Sequence, residues 1–300
     1  MGVAESIVDG LAERIEAKVA GVHFSRDAAF VDRLLPWMEL WARYFDAEVR
    51  GFENVPAGGA LVVGNHSGGT WVPDVPALMA AWQREFGSDR PLVALALDAM
   101  FAVPGLETLM RKLGEIPASP ANAERALAEG QAVLVYPGGA HEAFRPWRDR
   151  NRIDFGGHQG YVRLALRTGV PVVPVVGHGG HETLMVLARG DQLARHPLVK
   201  RLRLGVAPLV WQWPWGISLP LSPIGIPLPA KIDVEILEPI YWSDYGPEDA
   251  EDPEIVARCD AELRESMQKA LTRLAERRPR PLLARIQKLI ARRKVPRAAA

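Results

Sequence analysis

The chain has very little cysteine, with one residue, Cys259, in 300. A single thiol excludes an internal disulfide and a zinc site built from several cysteines, and it favours a reducing compartment. Cys259 stands at helical spacing from Ile255, Leu263 and Met267, so we expect it in the core. The fold must therefore be held by a hydrophobic core, which the 48% hydrophobic composition can supply.

A secretory signal and a straight membrane-spanning helix are also missing. Charged residues between Glu5 and Arg14 interrupt any early apolar core. The longest uncharged run, 204–230, is long enough to span a membrane but contains six prolines, which break helices. The run holds Trp211, Trp213 and Trp215, and tryptophan favours the water–hydrocarbon boundary. We therefore interpret it as an irregular segment that faces a membrane or lines a tunnel. An ordinary buried connection is the alternative.

Net charge is absent too, since 36 basic residues balance 36 acidic ones. The balance hides an asymmetry, because residues 277–297 hold nine Lys or Arg and no acidic residue, which leaves residues 1–276 at −9. A basic end on an acidic body predicts an anionic partner, either lipid headgroups or nucleic acid. A solvated tail without a partner is the alternative.

Hydrophobic spacing divides the chain into three parts. Apolar residues at helical spacing predict amphipathic helices over 4–20 and 26–46, and the aromatic stripe of the second packs on the core or lies in a membrane interface. Residues 47–276 are predicted to form the main domain. Residues 277–300 form a basic tail, whose apolar face among arginines is typical of a surface-lying helix.

Short apolar strands alternate with helices through the middle part. This alternation predicts an α/β fold, an αβα sandwich around a largely parallel sheet, with ligands at the carboxyl ends of the strands. The predicted strands lie at 48–52, 61–63, 92–97, 132–139, 171–176 and 231–237. The predicted helices lie at 74–86, 105–113, 122–129, 158–167 and from 252 onward.

The stretch GALVVGNHSGGTWVPD, residues 59–74, carries the first candidate chemistry. A strand ends in a glycine-rich loop that presents His66, and Asp74 caps the following helix. We predict that His66 is a general base on a hydroxyl and that Asp74 or a backbone group holds its tautomer. Backbone amides of two glycine loops are candidates to stabilise an oxyanion; they belong to Gly68, Gly69, Gly138 and Gly139.

The loop AHEAFRPWRDRNRIDFGG, residues 140–157, is too long and too charged for a simple connector. Its arginines suit the phosphates of a coenzyme, or they form salt bridges with nearby acids; the predicted substrate-binding residues are Glu142, Arg145, Arg148, Arg150 and Arg152. His178 and His181 are predicted to line the acceptor pocket. We predict no metal, because HGGHE has no helix to place both imidazoles on one face.

Four segments in order, NHSGGTWVPD, YPGGAHEAFRPW, NRIDFGGHQGYVRLALRTGVPVVPV and LPLPAKIDVEILEPI, resemble the glycerolipid and lysophospholipid acyltransferase superfamily over residues 40–245. The resemblance implies an αβα fold with His66 as catalytic base. It also implies transfer of an acyl chain from acyl-CoA or acyl carrier protein to a glycerolipid hydroxyl by a membrane-associated enzyme. Acyl-CoA would be a co-substrate, and no cofactor is expected.

Three departures from the family pattern bear on the acceptor. Trp71 stands where the family places its aspartate, so the role of Asp74 is inferred rather than matched. The block usually read Phe-Pro-Glu-Gly-Thr-Arg is YPGGAH here, which leaves Glu142 or Arg145 as substitutes, and GEIPAS lacks the usual phosphate-binding arginine. The GGAHEAF form is closer to the diacylglycerol and monoacylglycerol acyltransferase branch, whose acceptor is neutral. Arginine or lysine elsewhere could still bind an acceptor phosphate, namely Arg111, Lys112 or Arg125.

The sequence as a whole predicts an O-acyltransferase, 1-acylglycerol-3-phosphate acyltransferase-like with features of the diacylglycerol branch. We expect it on the cytoplasmic face of a membrane, peripheral or monotopic, with the membrane surface and a glycerolipid as partners and no nucleic acid. The alternatives are a lipid-binding, non-catalytic relative and a lipid or thioester hydrolase.

Overall fold

The computed structural model describes residues 25–101, 103, 105–191, 206–218, 225–278, 280, 282–283 and 285–288. The helix predicted over 4–20 and the end of the basic tail lie outside these residues. Within the described parts, no helix combines the length and the apolar character needed to cross a membrane.

The described residues contain ten strands. In chain order these are β1 (Glu48–Arg50), β2 (Ala60–Gly64), β3 (Leu92–Ala96), β4 (Glu115–Pro117), β5 (Ala132–Val135), β6 (Val172–His178), β7 (Met185–Ala188), β8 (Leu209–Gln212), β9 (Gly216–Ser218) and β10 (Asp233–Ile236). Seven form the main sheet, in the order β1-β10-β6-β2-β5-β3-β4. The five strands from β6 to β4 are parallel, while β10 runs antiparallel to β6 and parallel to β1. The largely parallel sheet is confirmed.

Helices cover both faces of this sheet. They are α1 (Ala28–Tyr44), α2 (Asp74–Phe86), α3 (Asp98–Phe101), α4 (Leu106–Leu113), α5 (Pro120–Ala128), α6 (Gly139–Ala143), α7 (Gly160–Thr168) and α8 (Pro253–Arg277). The helix expected from residue 122 begins two residues earlier, because the Ser119 side chain accepts a hydrogen bond from the Asn122 N–H. Within the predicted arginine loop, α6 and a 3-10 turn at Trp147–Asp149 form instead of a plain loop.

Alternation along each strand divides the core into two layers. In β2, Leu61 and Val63 pack with α5, α7 and α8, whereas Ala60 and Val62 pack with α2. Because strand side chains alternate between faces, a strand buried on both sides needs an unbroken apolar run, and all five residues of β2 are buried. Cys259 is 1% exposed, which confirms its place in the core.

The segment predicted to be irregular, 204–230, contributes β8 and β9 to a second sheet. Strands β7, β8 and β9 form a three-stranded antiparallel sheet, so this part of the prediction was wrong. The prolines do not prevent it, because within 206–218 both lie outside the strands, at Pro208 and Pro214.

The described part of the basic tail packs on the body. Arg285 is 5% exposed and donates to the backbone carbonyls of Arg43 and Tyr44, at 2.8 and 3.1 Å. These carbonyls lie at the C-terminal end of α1, where cations are favoured. Lys288 pairs with Asp46 at 2.6 Å. The tail is therefore anchored at the end of α1 through residue 288.

Candidate active site

Three neighbouring parallel strands, β5, β2 and β6, end at one edge of the sheet. Their register places Val135 beside Val63, and Val175 beside Gly64. The residues that follow these strand ends therefore meet there, and His66 follows β2 while Tyr136 follows β5. His178 ends β6. The carboxyl edge of a parallel sheet is where such folds bind ligands.

His66 is partly exposed and is held by its backbone and its ring. Its N–H donates to Glu142 Oε2 at 2.9 Å. Its ring stacks on Tyr136, with centroids 4.6 Å apart and planes at 29°. Nδ1 is buried and has no hydrogen-bond partner among the described residues. Burial lowers the pKa of His66 to about 4, so the imidazole is neutral near pH 7 and can accept a proton.

Asn65 ties the His66 loop to the adjacent strand. Its Nδ2 donates to the Gly177 carbonyl at 2.9 Å, and its Oδ1 accepts from the Gly177 N–H at 2.7 Å. The buried side chain thus continues the pairing of β2 with β6 by one step after the backbone ladder ends. The start of the His66 loop is therefore held in place against β6.

Asp74 opens α2 but does not cap it, because Pro73 occupies the cap position and no side-chain cap forms. The carboxyl is 3% exposed and lies against Gly177, where a Cβ would meet Asp74 Oδ2 at 3.1 Å. Burial, with a further contribution from Glu142, raises its pKa to about 7. Asp74 Oδ1 and His66 Nδ1 are both buried without partners in the described structure, so the predicted hydrogen bond between them is not formed.

Glu142 and Arg145 form a buried ion pair at 2.9 Å, with side chains 0% and 2% exposed. Arg145 also contacts His181 Nε2 at 3.1 Å. The pKa of Glu142 is raised to about 7 because desolvation outweighs the attraction of Arg145. All three side chains are enclosed, so the prediction that Glu142, Arg145 and His181 contact substrate is not what this geometry shows. Glu142 accepts from the His66 backbone N–H, Arg145 pairs with Glu142, and His181 contacts Arg145.

His178, His181 and Ser67 line a small polar cavity of about 10 Å³ next to this network, room for about one water. Burial lowers the pKa of His178 to about 4, and nearby Arg150 adds to the effect. Three polar atoms there are buried and unpartnered within the described residues, namely Ser67 Oγ, His178 Nδ1 and His181 Nδ1. Among those residues no three His, Cys, Asp or Glu are grouped closely enough to hold a metal ion.

Comparison with known proteins supplies the family. The sequence pattern of the family described as "Acyltransferase" matches residues 46–177. The chain is 32% identical over 273 residues to an uncharacterized protein of Mycobacterium leprae (strain TN), covering 88% of this chain and 70% of that protein. It is similar to 2-acylglycerol O-acyltransferase 3 of Homo sapiens, with 29% identity over 46% of this chain and 43% of that protein. The chain belongs to the glycerolipid acyltransferase superfamily.

This acyltransferase is also similar to a second mycobacterial protein and to one crystal structure. An uncharacterized protein of Mycobacterium tuberculosis (strain ATCC 25618 / H37Rv) is 36% identical over 77% of this chain, and the chain spans 62% of that protein's length. The crystal structure of the 1-acyl-sn-glycerophosphate acyltransferase PlsC from Thermotoga maritima covers 93% of this chain and 84% of its own, with a TM-score of 0.46 and 20% identity.

The four glycines predicted to form the oxyanion hole of the acyltransferase differ in their backbone N–H groups. Gly69 donates to the Ala143 carbonyl and Gly139 to the Tyr136 carbonyl, both at 3.0 Å. These two N–H groups are used within the loops, which argues against their predicted role. The N–H groups of Gly68 and Gly138 have no backbone acceptor in the described residues.

The arginine loop of the acyltransferase contains two kinds of arginine. Arg145 lies in the core, and Arg150 packs over the Trp147 ring at 4.4 Å and pairs with Glu182 at 3.4 Å. Arg148 is 84% exposed at its side chain and Arg152 is also exposed. The predicted coenzyme contacts therefore remain open for Arg148 and Arg152, whereas pairing occupies Arg150.

The loop between His66 and Asp74 is strained at Val72, whose φ is 33°. A β-branched residue in this region is a genuine outlier and costs about 1–3 kcal/mol. Trp71 precedes it, packs against the Trp41 ring with centroids 5.5 Å apart and planes tilted by 39°, and donates from Nε1 to the Gly225 carbonyl at 3.0 Å. Trp71, at the family's aspartate position, thus ties the loop to α1 and to the segment from residue 225.

Sequence reasoning missed two residues of this site, Asn65 and Tyr136. Both directly follow apolar strands, and a polar residue at a strand end in an α/β fold is the signal that could have found them. Asn65 bonds to Gly177, 112 positions away, and Tyr136 stacks on His66, 70 positions away. No local pattern encodes such pairs.

We expect Asp74→Asn to raise the free energy of unfolding more at about pH 7.5 than at about pH 4.5. The folded pKa of about 7 exceeds the unfolded value of 3.8, so the protonated carboxyl is stabilised by folding. That stability is complete below the unfolded pKa and is lost as pH rises through the folded pKa. The loss amounts to about 1.4 kcal/mol for each pH unit that separates the folded and unfolded pKa values.

Urea unfolding of wild type and Asp74→Asn at both pH values measures this difference. Asp149→Asn, which changes a carboxylate outside the core, is the control. Equal gains from Asp74→Asn at both pH values would contradict a buried Asp74 whose pKa is raised by folding.

Proposed function

We propose that this acyltransferase moves a fatty acyl group from acyl-CoA or acyl carrier protein to a hydroxyl of a glycerolipid. The observation that carries the proposal is His66 itself, a neutral, partly exposed imidazole at the carboxyl edge of the sheet, next to the buried carboxyls of Asp74 and Glu142. A base with pKa below the working pH is unprotonated and ready to act. No side chain in the loop is arranged as a nucleophile elbow, so direct transfer is favoured.

The reaction runs in two steps. His66 takes the proton of the acceptor hydroxyl while its oxygen attacks the thioester carbonyl, and the N–H groups of Gly68 and Gly138 stabilise the oxyanion. Collapse of the tetrahedral intermediate breaks the C–S bond and expels the thiolate, which takes the proton from imidazolium. The raised pKa of Asp74, about 7, leaves part of this carboxyl ionised at neutral pH, and the ionised form would stabilise the imidazolium by its charge. Arg148 and Arg152 hold phosphates of the donor.

An uncharged acceptor head fits the described part of this site best. Arg145 is neutralised by Glu142, the residue that bonds to the His66 N–H, and Arg150 is paired with Glu182. Arg111, suggested by the sequence as a phosphate ligand, pairs with Glu107 at 3.1 Å. A mono- or diacylglycerol would need no such cation, and 2-acylglycerol O-acyltransferase 3 is among the similar proteins.

An exposed apolar surface beside the site supports membrane association. The Tyr44 hydroxyl donates to the Pro227 carbonyl, and Trp213 bridges to Ile226, which brings α1 and the small sheet together. Trp71 joins both to the His66 loop. We call this surface the apolar rim; its members, 38% to 68% exposed, are Trp37, Leu40, Tyr44, Trp213, Trp215, Ile217 and Ile226. Exposed tryptophans favour a lipid interface.

We expect Trp213→Ser with Trp215→Ser to lower partitioning into phosphatidylcholine–phosphatidylglycerol vesicles by about tenfold or more, because two indoles leave the lipid interface. Sedimentation with the vesicles measures the bound fraction. Tyr241→Ser is the matched control, since Tyr241 is 61% exposed but lies beyond the Val172 end of β6, at the opposite edge of the sheet. An equal loss from both variants would contradict docking through the apolar rim.

One acceptor screen tests the function. Purified protein is mixed with labelled acyl-CoA and, in separate reactions, monoacylglycerol, diacylglycerol, lysophosphatidate and other lysophospholipids, and the products are separated by thin-layer chromatography. Transfer to a neutral acceptor supports the proposal. Transfer to lysophosphatidate alone would contradict the neutral acceptor, and release of free fatty acid without an acceptor would indicate a hydrolase.

A second candidate is a lipid-binding relative without catalysis. The unpartnered His66 Nδ1 and Asp74 Oδ1 favour it, because the usual carboxylate–imidazole hydrogen bond is missing. Binding of labelled acyl-CoA or diacylglycerol without turnover, across the whole screen, would select this candidate.

A further inference from the structure

The His66 ring lacks the hydrogen bond that usually orients a catalytic imidazole. Nδ1 is buried with no partner among the described residues, and Glu142 holds only the backbone N–H of His66. The ring does have one close planar contact, the stack on Tyr136 at 4.6 Å and 29°. The orientation of the imidazole must therefore come from packing against that ring.

The sheet is built to admit this stack. Tyr136 follows Val135 of β5, and Val135 is the register partner of Val63 in β2, so the next positions, Gly64 and Tyr136, face each other. A Cβ at Gly64 would come within 2.4 Å of Tyr136 Cε1, a distance that real Cβ atoms do not show. Only glycine at 64 leaves room for the phenol ring beneath His66.

The same ring lies close to the charges of the site. The pKa of Tyr136 is raised well above its usual value by burial and by the nearby carboxyls of Asp74 and Glu142. Tyr136 is therefore a neutral, flat partner in contact with the base and close to both acids. Its removal would take away the one aromatic ring contact recorded for the His66 side chain among the described residues.

We propose that Tyr136 is a positioning residue, whose ring holds the His66 imidazole in the plane needed to take the acceptor proton. The proposal rests on the proposed acyl transfer for its kinetic consequence, but the stack itself does not. Effective catalysis needs the base within a narrow range of angles, and misplacement by about 1 Å can cost 100-fold in rate.

Three substitutions at Tyr136 distinguish the contribution of its ring from that of its hydroxyl. Tyr136→Phe keeps the stack, so its kcat should stay within about threefold of wild type, whereas Tyr136→Leu and Tyr136→Ala should lower kcat about 10- to 100-fold. The KM for acyl-CoA should change by less than about threefold, because Tyr136 binds no donor group. Equal loss in the phenylalanine and leucine variants would overturn the proposal, as would full kcat in the leucine variant.

Gly64→Ala tests the same contact from the other side and leaves Tyr136 in place. The added methyl displaces the phenol ring, so kcat should fall by a similar factor. In the Tyr136→Ala background the methyl has nothing to displace, and Gly64→Ala should cost no further activity. Additive losses in this double-mutant cycle would overturn the proposal.

A measurement without turnover keeps the stack testable on its own. In protein labelled with ¹³C-histidine, the His66 ring protons, assigned by their loss in His66→Ala, should lie upfield because of the Tyr136 ring current. They should move downfield in Tyr136→Leu and stay in Tyr136→Phe. An unchanged position in Tyr136→Leu would overturn the stack, whereas a lack of acyl transfer by wild type would count against the proposed function alone.

Discussion

Replacing His66 with alanine should lower the proposed acyl transfer from labelled acyl-CoA by about 100- to 10,000-fold, the usual contribution of a positioned general base. The loss falls on kcat, because the acceptor hydroxyl keeps its proton and its oxygen remains a weak nucleophile. The fold should be retained, since His66 is partly exposed and its backbone N–H, which bonds to Glu142, remains in the alanine variant. Circular dichroism and urea unfolding check the fold, and product chromatography checks the rate.

His158→Ala is the matched control for this experiment. His158 is also a loop histidine, but its ring contacts the Phe155 carbonyl at 2.8 Å and it is exposed, away from the strand ends. Its removal should leave the rate unchanged. Retained turnover in His66→Ala would rule out the general-base mechanism, and equal losses in both variants would point to a general defect rather than to the base.

Replacing Arg145 with methionine should lower the free energy of unfolding by about 3–5 kcal/mol at pH 8, the cost of leaving one partner of a buried ion pair alone. The stranded partner is Glu142, which is 0% exposed. Protonation relieves part of the cost, because the folded pKa of Glu142 is already raised to about 7 and rises further without Arg145. The loss should therefore be smaller at pH 5 than at pH 8.

Two further variants define this prediction. Glu142→Gln combined with Arg145→Met removes both charges, and the double variant should be more stable than Arg145→Met alone at pH 8. Arg148→Met is the control, because Arg148 is 84% exposed and pairs with Asp149 at the surface, and its loss should stay within about 0.5 kcal/mol. A loss from Arg145→Met no larger than from Arg148→Met would contradict a buried pair that supports the site.

The Glu142–Arg145 pair also explains a departure from the family pattern. The usual motif carries its glutamate directly after the proline and its arginine three positions further on, where this chain has Gly138 and His141. Here the glutamate and the arginine come four residues later, as Glu142 in α6 and Arg145 just after it, and the Glu142 carboxylate accepts from the His66 N–H. The pair thus holds the backbone of His66 rather than facing the surface.

Much of the fold was encoded locally. Apolar runs ending in glycine predicted β2, β5 and β6, because strands buried on both faces need unbroken apolar residues. Helical spacing predicted α1, α2 and α8 with Cys259 in the core. The small antiparallel sheet was missed because its strands are only three or four residues long, too short for an alternating pattern to be recognised.

The sequence by itself determined that a histidine stands at the end of a parallel strand in an acyltransferase, because strand, glycines and histidine are consecutive. Only the tertiary structure decided what holds that histidine. The His66 ring stacks on Tyr136, which follows β5. Asn65 of the same loop bonds to Gly177 in β6, and the His66 N–H bonds to Glu142 in α6. It also decided that Asp74 is buried without bonding to His66. Such contacts depend on the order of the strands in the sheet, which long-range packing sets and which no short stretch of sequence contains.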